Sequence, residues 1–225
     1  MNAIKVYVET GQKRSFVSAV DLPGWCRSGR DEETALQALI DYGPRYAQVL
    51  HGSGMDFRIP TDSSALNVAE RHKGNATTDF GAPDAIPEAD RERLDRMEFE
   101  RLQAILLACW RAFDRAVGHA TGRELRKGPR GGGRDLGKII EHVLGAEQGY
   151  LARLAWRYKR EGGIGPDDEL ARTRQAVLNA LEVALHEGMP ERGPRGGVLW
   201  PARYFVRRVA WHTLDHAWEI EDRIL

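Results

Sequence analysis

The stretch from Val198 to Leu225 constrains this chain most, because a histidine pair is written into the apolar stripe of what reads as a single helix. At 3.6 residues per turn, Ala202, Phe205, Val209, His212, His216 and Ile220 fall on one face. Both imidazoles of Trp211-His212-Thr213-Leu214-Asp215-His216 therefore belong to the core-facing side, one turn apart. That spacing lets them converge on one metal ion. Two unpaired imidazoles in a core carry a desolvation cost, so the pair needs a partner. Seven histidines in 225 residues generate about 0.2 such pairs per chain by chance, so the motif gains weight only with a third ligand.

The remaining helical pattern limits where that ligand can come from. From Pro87 onward the periodicity predicts an all-α four-helix bundle over residues 87–225, joined by short connections. The first helix spans Pro87 to His119 and buries Leu94, Leu102, Ile105, Leu106, Cys109, Phe113 and Val117. Asp135 caps the second, which carries Leu136, Ile139, Ile140, Val143, Tyr150, Leu151 and Leu154 and ends at Gly162-Gly163-Ile164-Gly165-Pro166. The third runs from Asp167 to Glu187, with Leu170, Val177, Leu178, Leu181 and Leu185 inward. His119 and His186 sit at helix ends, where a histidine favours the negative terminus or solvent. His51 and His72 belong to the N-terminal half. His142, mid-helix in Ile139-Ile140-Glu141-His142-Val143-Leu144, lies beside the buried stripe and completes a three-histidine set with His212 and His216.

Each of these residues has a structural reading beside the metal one. The pair can be a satisfied core couple, and His142 can bond a backbone carbonyl. Glu219 and Glu147 can orient a ligand imidazole or hold a metal-bound water, or be solvated helix carboxylates. Asp215 falls off the metal face. Thr213 stands where a zinc protease of the HExxH type carries its glutamate, which argues against that hydrolytic mechanism. The loops Gly128-Pro129-Arg130-Gly131-Gly132 and Gly193-Pro194-Arg195-Gly196-Gly197 share a short repeat without the GK[ST] ending of a phosphate loop. Their arginines can hold a carboxylate, or be surface residues of plain loops.

The first fifty residues follow another pattern. Ile4-Val6-Val8 alternates as a strand, Phe16 to Val20 forms a second, and a Leu22-Pro23-Gly24 turn enters a third that ends near Gly29. Asp31 caps a helix reaching Leu50, interrupted at Gly43-Pro44. Phe57 with Ile59, then Leu66 with Val68, alternate weakly and extend the sheet. The expected organisation is an α+β module over residues 1–73 and a linker at 74–86, before the bundle at 87–225. The linker's Gly and Pro content speaks against regular structure, and Phe80 is expected to tuck into a groove.

Composition narrows the partners. Charged residues make up 29% of the chain with no net charge, so no basic surface calls for nucleic acid. No run approaches a membrane span, and the start Met1 to Tyr7 has no signal-peptide pattern. Cys26 and Cys109 form no CxxC pair and read as thiols of a reducing cytoplasm. There the Asn75-Ala76-Thr77 sequon has no role.

Two resemblances follow from these residues. "AVDLPGWCRSGRDEETALQAL", with its Leu22-Pro23-Gly24 turn, Gly29, Glu33 and Ala35, resembles the HicB-like domain. That family implies antitoxins that pair with small RNA-cleaving toxins, often through a DNA-binding tail. No helix-turn-helix or basic arm follows here, so a structural or dimerising module is expected. His142 in "IIEHVLGAEQGYL", with His212 and His216 in "AWHTLDHAWEIE", resembles the DinB/YfiT-like metalloenzymes. That resemblance implies a homodimeric four-helix bundle with one divalent metal, nickel, zinc, iron or manganese. It also implies an up-down-down-up helix order, for which the expected connection from Lys159 to Pro166 is short. Members include S-transferases that use bacillithiol, mycothiol or glutathione, so a low-molecular-weight thiol and a small-molecule substrate are the implied partners. Two functions stay open: a metal-dependent transferase, or a non-catalytic metal or ligand module with the N-terminal part making the partner contact.

Overall fold

Alternating apolar residues start the N-terminal sheet where expected in the computed structural model, which describes residues 3–127, 133–193 and 197–225. Strands β1 (Ile4–Thr10), β2 (Ser15–Ala19), β3 (Cys26–Gly29) and β4 (Leu66–Lys73) form one sheet in the order β3-β2-β1-β4. β1 pairs antiparallel with β2, Val8 opposite Val17, and β2 antiparallel with β3. β4 pairs parallel with β1, Ile4 opposite Leu66, with an irregularity between Val6 and Tyr7. A parallel neighbour needs a crossover. Helices α1 (Glu32–Asp41) and α2 (Gly43–Leu50) lie in that connection, separated at Gly43-Pro44 as expected.

The turn into β3 is held from beneath the helices. Asp31 and Thr34 form a reciprocal capping box at the start of α1. Trp25 is fully buried, donates from Nε1 to the Leu39 carbonyl at 2.9 Å and stacks on Tyr46 at 5.8 Å. Phe57 meets both rings edge-on, at 5.0 and 5.4 Å. This cluster explains one departure from expectation. Leu66 and Val68 join the sheet, but Phe57 and Ile59 do not, because Phe57 buries its ring on Trp25 and Tyr46 and Pro60 follows without a ladder donor.

Residues 74–86 also differ from the expected irregular linker. Asn75 accepts from the Thr77 and Thr78 N–H groups and caps a short helix, α3 (Ala76–Phe80). The buried Glu9 carboxylate takes the Thr78 hydroxyl and the Asp84 and Ala85 N–H groups, the latter two at 2.8 Å. A carboxyl group on β1 thus anchors the segment, and cap chemistry outweighs its Gly and Pro content. Phe80 is 90% exposed rather than seated in a groove. The chain divides after these contacts, into Met1–Arg91 and Glu92–Leu225.

The second unit is helical. α4 (Arg96–Ala120) is capped by Asp95 and α5 (Leu136–Leu151) by Asp135. α6 (Pro166–Glu187) carries Pro166 in its first turn, and α7 (Ala202–Arg223) follows Pro201. The expected first helix begins late, since Glu88–Arg91 form a separate 3-10 turn. α7 packs most closely on α4 and also meets α5, which packs on α6. Nearly every side of α7 is buried. Phe113, Ile139, Val143, Leu170, Ala217 and Ile220 belong to a core cluster drawn from all four helices. After α7, Leu125 bridges Ile224, and the Leu225 N–H donates to the Glu124 carbonyl at 3.1 Å.

α5 is shorter than its apolar pattern suggested. It stops at Leu151, a 3-10 turn follows, and Ala155 takes a left-handed conformation at φ 59°. The Trp156 N–H returns to the Leu151 carbonyl at 3.1 Å and closes the end. The connection to α6 is therefore longer than the expected stretch from Lys159. Both cysteines are buried and outside any disulfide, and burial pushes the Cys109 thiol up, so it is not poised as a nucleophile. No described helix is long and apolar enough to cross a membrane.

Candidate metal centre

The apolar stripe of α7 carries His212 and His216 inward, at 7% and 8% exposure. α5 supplies His142, half-buried on its stripe edge. The three rings converge, with centroids 5.0 Å apart for His142–His212, 4.8 Å for His142–His216 and 4.7 Å for His212–His216. One ligand nitrogen from each lies within 4.8 Å of the others. His142 Nε2 and His212 Nε2 are 3.1 Å apart. Two nitrogens bound to one cation at ~2.1 Å sit about 3.0 Å apart at a right angle and about 3.4 Å apart at the tetrahedral angle. The observed separation of this pair falls between these limits, and the three histidines together form a group that could hold a metal ion.

The surroundings disfavour protonation of His142 and His212, and a ligand imidazole must be neutral. Burial pushes His212 well below the ordinary histidine range, helped by His216, His142, Arg208 and Arg134. Burial also lowers His142, with His216 and Arg134 acting the same way against the opposing Glu219. Glu219 pairs with one ring of the cluster: His216 Nδ1 donates to its Oε2 at 2.7 Å, which leaves Nε2 as the ring nitrogen not so engaged. The bond from His216, with Arg223 assisting, holds the Glu219 carboxylate below its usual value despite partial burial. Arg223 continues the chain to the Arg134 carbonyl at 2.8 Å. His212 Nδ1 is buried with no hydrogen-bond partner among the described residues. Tyr150 stands edge-on to it at 6.0 Å, and Arg208 lies over Tyr150 and Trp211 at 5.9 and 5.0 Å.

Glu147 is neither a solvated carboxylate nor an imidazole partner. It is fully buried and accepts from Trp110 Nε1 at 2.9 Å and the Thr213 hydroxyl at 3.3 Å. Burial raises its pKa, with Arg174 and the two donors opposing. Thr213, at the position of a protease glutamate, is thus committed to a neighbouring buried carboxylate. His119 and His186 are exposed at helix ends, as expected. The arginines of the two Gly-rich loops, Arg130 and Arg195, lie outside the described residues.

Sequence reasoning missed Tyr150, Arg208 and Arg134 as neighbours of the site. Tyr150 and Arg208 were legible in principle: one lies two turns along α5 from His142, the other one turn before His212. In comparisons with known proteins, no family model matches the chain, and no match was found among curated proteins or solved structures.

Proposed function

We propose that residues 92–225 form a DinB-like four-helix bundle that binds one divalent metal through His142, His212 and His216. In this reading the protein is a metal-dependent transferase of the thiol S-transferase type, working as a homodimer on a small-molecule substrate. The observation that carries it is the convergence of three imidazoles from two helices, one of them bonded to Glu219. Three histidines leave nickel, zinc, iron or manganese its full charge and open positions, whereas a purely structural site is more often closed by a fourth protein ligand. When bound, the cation acts as a Lewis acid that favours the deprotonated form of a thiol or water. His142 and His212 contribute lone pairs, because burial keeps them unprotonated at neutral pH. Glu219 fixes the His216 tautomer. Tyr150 stands beside His212, with Arg208 behind it.

Elemental analysis of untagged protein tests the metal, with about one ion per chain expected. The His212→Ala/His216→Ala variant should lose it while remaining helical by circular dichroism. Metal retained there moves the site elsewhere. Turnover of small electrophiles with bacillithiol, mycothiol, glutathione or coenzyme A should depend on one thiol and vanish in His142→Ala. An absorption-edge spectrum with four protein ligands and no thiol-dependent rate would instead define a non-catalytic metal module.

A further inference from the structure

A second concave site lies apart from the histidines, where α5 breaks early. A cavity of about 540 Å³ is lined by Gln148, Trp156, Arg157 and Tyr158, with Gly193 and Gly197 on its wall. That volume suits a small organic ligand. None of its lining residues belongs to the metal cluster.

The wall is built from behind. Glu169 on α6 is fully buried, and its Oε1 accepts from Gln148 Nε2 and from the Tyr158 hydroxyl, each at 3.0 Å. Thr173, also buried, accepts from Gln148 at 3.2 Å and donates to the Tyr158 oxygen at 3.2 Å. Arg172 reaches Glu169 Oε2 at 3.4 Å. A connected set of this kind locks Gln148 and Tyr158 in one orientation at the cavity. It also spends both carboxylate oxygens internally, so Glu169 offers the cavity no free acceptor.

The polar groups left over define the ligand. Gln148 keeps its amide oxygen, Trp156 its indole N–H and Arg157 its guanidinium, and none has a hydrogen-bond or ion-pair partner among the described residues. The neighbouring cations are spoken for: Arg160 pairs with Glu141, and Arg172 with Glu161 and Glu169. A planar, unpaired guanidinium matches a carboxylate bidentately. Beside it, the indole and phenol rings offer flat apolar surface for an aromatic ring. Ala155 holds a left-handed backbone immediately before this wall, a strained conformation for a residue with a side chain.

We propose that this cavity binds a small aromatic carboxylate, with Arg157 holding the carboxylate and Trp156 and Tyr158 the ring. The site is independent of the metal reading. The test uses the full-length protein and two probes of the same shape, indole-3-carboxylate and indole-3-carboxamide, titrated by calorimetry and followed by ligand-observed NMR. Saturable binding of the carboxylate is expected, at least tenfold tighter than the amide. Arg157→Ala, an exposed change that touches no core, should remove that preference. Trp156→Ala should weaken both probes, and His212→Ala/His216→Ala should leave both unchanged. Equal binding of acid and amide, or undiminished preference in Arg157→Ala, overturns the proposal. Loss of acid binding only in the double-histidine variant overturns it too, by placing the carboxylate at the metal.

Discussion

The residue with the clearest single task is Glu219. Its bond to His216 Nδ1 selects the tautomer that carries the proton on Nδ1 and the lone pair on Nε2. Partners of this kind contribute about 10–100-fold to metal affinity. Glu219→Ala should therefore weaken zinc binding by that amount in a competition titration with a chelating dye, without changing the helical spectrum. An unchanged affinity would mean that packing alone orients the ring. Glu147 yields a prediction of opposite character. Its carboxyl is raised by burial above its ordinary value of 4.5, which serves for the unfolded chain. Between 4.5 and the folded value the native state therefore binds more protons than the unfolded state. Stability contributed by the neutral form is present at low pH and lost as pH rises through that window, at up to about 1.4 kcal/mol per pH unit. Glu147→Gln cannot ionise, so urea denaturation from pH 4.5 to 8 should give a flatter stability profile than the native sequence. Parallel profiles would mean that Glu147 ionises alike in both states.

At the scale of elements, the close approach of β3 to α1 rests on Gly29. A Cβ there would stand 2.4 Å from the Ala35 nitrogen and from Thr34 Oγ1, at the capping box itself. Gly29→Ala should cost about 3 kcal/mol, seen as a lower denaturation midpoint, because backbone rather than a flexible tip must move. The end of α5 predicts a gain instead. Ala155 bears a strain of about 1–2 kcal/mol in its left-handed conformation. Ala155→Gly should recover roughly 1 kcal/mol by the same measurement, less the added freedom of the unfolded glycine. A loss would mean that the Ala155 methyl packs usefully. The early stop of α5 also lengthens the connection to α6 beyond what its apolar residues suggested.

For the whole molecule, the boundary matters most. Residues 74–91 belong with the sheet, because Glu9 on β1 takes Thr78, Asp84 and Ala85 as its donors. Fragment 1–91 should melt cooperatively. Fragment 1–73 strips a buried carboxylate of three hydrogen bonds and should lose at least about 2 kcal/mol, if it folds at all. Equal midpoints for the two fragments would make the segment an ordinary linker. Residues 92–225 should melt cooperatively on their own and bind zinc as tightly as the full chain does.

The three histidines, the caps Asp31, Asp95 and Asp135, and the break at Gly43-Pro44 show how local signals survive into the fold. Helical period places a residue on a face, and a cap needs only a side chain within three residues of its donor, so His212 and His216 could be assigned to the core from spacing alone. Asp95 went unread because the apolar pattern seemed to begin at Pro87, although its cap geometry is equally local. What lies across the chain had no local trace. Nothing near Glu9 announces that donors 69, 75 and 76 residues later will bury it. Nothing in α5 says that Glu147 will meet Trp110 and Thr213 while Glu219 meets His216, since both are carboxylates on amphipathic helices. Phe57 and Phe80 carry the same side chain; one found an aromatic cluster and the other solvent. Sequence alone determined which residues could be ligands and which helix faces turn inward, because both follow from neighbours one or two turns away. Tertiary structure decided which carboxylate orients an imidazole, where α5 ends and which segment seals the sheet, because each depends on a partner brought near only by folding.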